Sequence, residues 1–211
     1  VTDGSSNPWL TRPAERQPVA PRSEATEPVV PATTGPTTPQ RGVPAPGASD
    51  QLPIQPQPRD ADLWWLGVHG GAGETSLAAL VPDWLAAEHM WPQPLGDARV
   101  VLTARSNMRG LRAAQAAATQ WAAGLVPHVE VVGLVIVADA PGRLPRPLRE
   151  FSQIVGGGVP RTWTLPWIEA WRLGEPPALS DAPREVRRLV DDLRAVVRPG
   201  AAGTVNRKET R

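Results

Sequence analysis

The chain has 211 residues, with 22 lysines and arginines against 21 aspartates and glutamates and a net charge of +1. That balance excludes the broad basic footprint of a nucleic-acid binder. Cysteine is absent, which excludes disulfides and cysteine-based metal sites.

Residues 1–60 hold thirteen of the 26 prolines and show neither a period of 2 nor one of 3.6. Such a stretch cannot bury enough apolar surface to offset its ordering entropy, so it is expected to be a disordered, Pro-rich N-terminal segment, removable without unfolding the rest. It contains no apolar core of a secretory signal, and no apolar run in the chain reaches the roughly eighteen residues of a membrane span. A cytoplasmic protein without membrane contact is the resulting expectation. Residues 61–199 have the length of one domain and carry fourteen basic and fourteen acidic side chains, so nucleic-acid binding through this part is not expected. Residues 200–211 are expected to be a basic flexible tail.

Within the domain, Leu63 to Val68 reads as a buried strand and Thr75 to Val81 as a helix that Pro82 ends. Asp83 to His89 reads as a second short helical piece. Arg99 to Ala104 is a core strand, followed by an alanine-rich helix from Met108 to Ala123 that Gly124 terminates. Val129 to Ala138 is the longest apolar run and the best central strand. A helix over Pro147 to Val155, a short strand over Arg161 to Leu165 and a helical turn or two in PWIEAWRLG come next. Ser180 or Asp181 is expected to cap a last amphipathic helix, Pro183 to Val197. Strands alternating with helices predict a parallel sheet covered on both faces.

The segment LWWLGVHGGAGETSLAAL, Leu63 to Leu80, runs from strand through a glycine loop into helix. Loops of this shape bind phosphate through converging backbone N–H groups, helix-terminal potential and a lysine. Gly70, Gly71 and Gly73 keep the backbone part, and Thr75 and Ser76 keep hydroxyls where a Mg²⁺ ligand would sit. Glu74 stands in the lysine's place. A carboxylate about 4 Å from a phosphate oxygen costs roughly 4 kcal/mol at an effective dielectric near 20. The chain's single lysine is Lys208, and arginine is a planar fork that does not simply substitute. An empty or weakly binding loop is expected, with Gly71 and Gly73 serving the turn itself and Glu74→Lys leaving folding intact. No resident cofactor is expected, ATP with Mg²⁺ is disfavoured, and no catalytic or metal-ligating residue is identified. His69, His89 and His128 are not spaced as a ligand cluster and read as surface or loop residues.

These residues resemble the ParA/MinD family of deviant phosphate-loop ATPases, whose loop reads KGGxGKT followed by Ser or Thr. Here the loop is HGGAGETS, so both family lysines are replaced, by His69 and Glu74. VVLTARSNMRGLRAAQAA, GLVIVAD and LPWIEAWRLGE look like the family's later elements in the same order, over about 135 residues. The resemblance implies a shortened three-layer αβα fold of P-loop NTPase, MinD-like type, with a degenerate Walker A loop. Its cofactor site would be His69, Gly70, Gly71, Ala72, Gly73, Glu74, Thr75, Ser76 and Asp139. The DAP context allows Asp139 to be the family's aspartate near Mg²⁺ and the attacking water. Element order instead aligns it with a later strand end that contacts the base, and this placement is preferred. It implies that the segment with the Mg²⁺ carboxylates has shrunk to a short linker between Trp91 and Ala98. The chain also looks like an uncharacterised actinobacterial set with a GGAGE-type loop, associated with plasmids and mobile elements.

Two further surfaces are candidates for a protein partner or homodimer. Trp163, Trp167 and Trp171 cluster in sequence, the last two at i, i+4 on one helix face, and tryptophans of this kind fill either a core or a hot spot. Arg143, Arg146 and Arg149 lie around a turn near Asp139, as an anion or carboxylate site or as a solvated face. Two functions follow: a non-hydrolysing MinD/ParA-like scaffold or accessory protein in plasmid maintenance, conjugation or secretion, or a nucleotide-binding switch or weak ATPase in which an arginine replaces the lysine.

Overall fold

Apolar runs as continuous as LWWLGV and VVGLVIV need cover on both sides of a sheet, and the fold provides it. A computed structural model describes residues 32–197. The strands are β1 (Ile54–Pro56), β2 (Leu63–Gly67), β3 (Trp84–Ala86), β4 (Trp91–Gln93), β5 (Ala98–Arg105), β6 (Val129–Val137) and β7 (Thr162–Leu165). The helices are α1 (Glu74–Ala78), α2 (Met108–Ala122), α3 (Arg146–Gly156), α4 (Glu169–Arg172) and α5 (Arg184–Val197). Five strands form the main sheet in the order β3-β2-β5-β6-β7, and every pairing in it is parallel.

Alternation along each strand divides the core in two. Trp64, Leu66, Val100, Leu102, Leu134 and Ile136 meet Leu111, Ala114, Ala117 and Trp121 of α2 and Val155 of α3. On the opposite face Leu63, Trp65, Val101, Val135 and Val137 meet Leu77 of α1 and Val186, Leu189, Val190 and Leu193 of α5. The adjacent tryptophans Trp64 and Trp65 are thus split between the two cores. The result is an α/β fold with a parallel sheet between helical layers. At residue 132 the β6 ladder shifts register, and Gly133 beyond the shift makes room for the Trp163 indole, which an added Cβ would meet at 2.5 Å.

Three expectations are corrected. Asp83 to His89 is not helical: Trp84–Ala86 pairs in parallel with Leu63–Trp65, because a short apolar run is ambiguous by pattern and the open edge of β2 decides it. The linker after Trp91 begins as strand β4, paired with β1 in a two-stranded parallel sheet. Neither Ser180 nor Asp181 caps α5, which starts at Arg184, and the Ser180 hydroxyl instead donates to the Asp181 carboxylate.

A fourth correction concerns the proline-rich segment. From Thr34 onward it is laid across the domain as a strap: Thr34 N–H donates to Pro160 O and Gln40 N–H to Ala122 O. Val43 and Leu52 pack on the α2-side core. Proline supplies no periodic pattern, so the sequence shows no amphipathic face here, but isolated apolar residues and backbone bonds to the carbonyls of Pro160 and Ala122 dock it. Residues 1–31 and the expected tail at 200–211 lie outside the described residues.

Gln120 is the anchor of the strap. It is 2% exposed, its Oε1 accepts from Leu52 N–H and from Trp91 Nε1–H, and its Nε2 donates to Leu52 O. Removing a buried polar partner strands the groups that faced it. Gln120→Ala should therefore lower the unfolding free energy by about 2–4 kcal/mol, read as the shift in urea midpoint at constant m-value. A shift under about 0.5 kcal/mol, the range of ordinary surface changes, would show that water replaces the amide.

Candidate functional site

Strand order reverses at β2, whose successor β3 lies on one side while β5, reached through β4, lies on the other. In open parallel sheets the crevice beyond such a point is where ligands bind. The glycine loop lies there. Gly71 and Gly73 have φ of 77° and 98°, the left-handed region that favours glycine, so both serve the turn as expected.

Glu74 does not face the mouth of the loop. Its carboxylate is turned inward, 4% exposed, where Oε2 accepts from Gly67 N–H at 2.9 Å and Oε1 accepts from Glu88 N–H. His89 Nδ1 lies 3.1 Å from Oε2 and 2.7 Å from Gly67 O, so it carries the proton and donates to both. Glu88 and His89 have positive φ, 54° and 63°, a conformation costing on the order of 1–3 kcal/mol for residues with a Cβ. Glu74 holds that strained turn against the end of β2. Burial raises the Glu74 carboxyl above its ordinary value of 4.5, opposed by the Glu88 N–H, His89 and the Gly67 N–H. The carboxylate expected to oppose a phosphate is therefore turned away from the mouth of the loop.

His69 is a strut between the loop and β5. Its Nε2 accepts from Arg105 N–H at 3.0 Å, which leaves Nδ1 protonated to donate to Gly70 O at 2.9 Å. Arg105, the last residue of β5, returns across the crevice: Nε donates to Gly71 O at 2.8 Å and one terminal nitrogen to Ala138 O at 3.1 Å. Burial lowers the Arg105 pKa, Asp139 opposes that, and neighbouring Arg172 adds to it.

These groups border an open cleft of about 610 Å³, lined by the loop residues His69, Gly70 and Gly71, by Arg105, Asn107 and Arg109, and by Asp139, Trp167 and Arg172. Asn107 caps α2 through its Oδ1, which accepts from Gly110 N–H. Three arginines against one aspartate leave the lining at +2. Arginine forks suit planar, bidentate capture of phosphate or carboxylate. Among the described residues no group of three or more His, Cys, Asp or Glu could hold a metal ion.

Of the residues singled out from sequence, His69, Gly70, Gly71, Asp139 and Trp167 come together at the cleft, while Ala72, Gly73, Glu74, Thr75 and Ser76 lie outside its lining. The tryptophan cluster separates. Trp163 donates to Asp192 Oδ2 and packs with Trp171 against the α5-side core. α4 begins only at Glu169, so Trp167 and Trp171 share no helix face. Arg146 pairs with Glu150 one turn along α3, Arg149 is exposed, and Arg143 lines a neighbouring pocket.

The arginines at the cleft are Arg105, Arg109 and Arg172, which sequence reasoning passed over. The signal for Arg105 was its place at the end of the strand beside the switch point. Gly67 and Gly110 were also missed: an added Cβ at Gly67 would lie 2.4 Å from Glu74 Oε2, and at Gly110 2.3 Å from Arg105 O and 2.8 Å from His69 Nε2.

One family model matches the chain, over residues 61–190, and is described as a family of unknown function, DUF6668. The match spans more than half of the chain, which belongs to that family. No curated protein and no solved structure matches it. Among the described residues, no helix is long and apolar enough to cross a membrane.

The inward carboxylate revises the expected tolerance of this position. Glu74→Lys should cost about 2 kcal/mol or more, since two N–H donors worth roughly 1–3 kcal/mol each would lose their acceptor. An unchanged urea midpoint would show that the turn does not need it. Because the folded state holds the Glu74 proton more tightly than the unfolded one, unfolding free energy falls as pH rises from 4.5 through the raised value. The stability of wild type relative to Glu74→Gln should accordingly be greatest below pH 4.5 and shrink with rising pH. A difference that grows with pH would reverse the assignment.

Proposed function

We propose that this DUF6668 member is a non-hydrolysing, MinD/ParA-like binding protein, in which a degenerate P-loop persists as a structural turn while the adjacent arginine-lined cleft captures an anion. The observation that carries this reading is the opposite disposition of the charges: the Glu74 carboxylate is buried against Gly67 and Glu88, and Arg105, Arg109 and Arg172 face the cleft with only Asp139 opposing them. Arg105 is partly desolvated beside a second arginine. A bound phosphate or carboxylate relieves that repulsion, which makes the cleft complementary to an anion before any ligand arrives.

Turnover has little support in the same residues. Phosphoryl transfer depends on cations and carboxylates positioned around the γ-phosphoryl group. Asp139 is the single carboxylate lining the cleft, and Thr75 and Ser76 lie outside it. The anion then serves recognition, through a protein partner or a second copy of the chain, in a process such as plasmid maintenance, conjugation or secretion. A nucleotide-binding switch is the second reading. It is favoured by Arg105, whose Nε bond to Gly71 O sets a guanidinium against the loop.

Calorimetric titration with pyrophosphate, and with ATP in the presence and absence of Mg²⁺, separates these readings. Saturable pyrophosphate binding that weakens with salt is expected, reduced tenfold or more in Arg105→Ala, an effect on the order of 1.4 kcal/mol. The exposed Arg172→Ala should weaken it without touching the bonds to Gly71 and Ala138. No saturable binding at millimolar anion would end the reading. Mg²⁺-dependent phosphate release lost in Asp139→Asn would establish the weak ATPase instead.

A further inference from the structure

The arginine cleft has a neighbour on the far side of Asp139. A second cavity of about 530 Å³ opens at the carboxyl ends of β6 and β7, and Asn107 and Asp139 line both spaces. Its character is different. Leu144, Leu148, Leu165, Pro141, Pro145 and Pro166 form its walls. Leu165 is fully buried at the end of β7, and Leu144 and Leu148 are half-buried. The proline-rich connection from β6 to α3 makes this shape: prolines fix φ and give up their N–H donors, so the wall they form is apolar and stiff. A cationic space and an apolar space thus meet across two shared side chains.

The geometry points to a single bipartite site for an amphiphilic anion, a phosphate or diphosphate monoester of an apolar alcohol. Its head would sit among Arg105, Arg109 and Arg172 and its tail between Leu144 and Leu165. This deepens the anion-binding reading above and rests on it. Adjacency of the two spaces, which share Asn107 and Asp139, carries the argument. An anion held beside Asp139 directs whatever it is esterified to either into solvent or into the leucine and proline pocket, and an apolar substituent gains only in the second. The flanking charges, Arg143 and Glu185, stand opposite in sign and favour no further ionic group there. The occupant is a free, monomeric ester, whose tail would lie against the leucine and proline walls of the second cavity.

Titration of the full chain with methyl, butyl, hexyl and octyl phosphate below their micellar concentrations tests the inference. Affinity should rise about threefold to fourfold for each methylene that enters the pocket, the increment expected for burying a CH₂ group. Leu144→Asn should flatten that rise while leaving methyl phosphate affinity unchanged, and Arg172→Ala should weaken all four esters together. Equal affinity for all four esters would overturn the inference and leave simple anion binding standing. A chain-length dependence unaffected by Leu144→Asn would also overturn it, by placing the tail elsewhere. Failure of every ester, methyl phosphate included, would remove the anion-binding reading as well.

Discussion

One buried carboxylate organises this end of the sheet. Glu74 reaches back from the first residue of α1 to the last N–H of β2 and across to the Glu88 N–H. A carboxylate in that position costs desolvation, which is why its pKa rises, and the cost is offset only because several donors converge on it. A lysine could not take part in this arrangement, since all the facing groups are donors. The same position that would serve a phosphate in a phosphate-binding loop here ties a strand end, a helix start and a strained turn into one unit.

The consequences extend to the cleft. With Glu74 turned inward, its carboxylate does not compete for the Arg105 guanidinium, whose Nε donates to Gly71 O. His69 braces the same residue through its backbone N–H. The cation nearest the loop is therefore delivered from β5, on a side chain fixed by two backbone carbonyls. Preorganisation of this kind limits the entropy lost when a ligand arrives.

Much of the fold was legible in the sequence because it rests on periodicity. The strand over Val129 to Val137 and the helix over Met108 to Ala122 follow from apolar spacing, and Gly124 marks its end with φ of 75°. The strap and β3 were not legible, because both depend on partners distant in sequence: β3 on an open edge of β2, and Leu52 on the amide of Gln120. At the site, the loop's glycines announced themselves. The direction of the Glu74 side chain did not, since the loop pattern says which residue occupies a position and nothing about which way it turns. Arg105, Arg109 and Arg172 are separated in the chain and converge only through topology.

The strap has a further consequence, for the order of assembly. Leu52 and Gln120 are 68 residues apart, and Thr34 and Gln40 bond to Pro160 and Ala122. Contacts this remote in sequence carry a loop-closure cost that favours late formation. The parallel sheet with α2 must exist before the strap has a surface to lie on. During synthesis this segment therefore leaves the ribosome ahead of all its partners, and it waits, uncommitted, until the groove that receives it has been built.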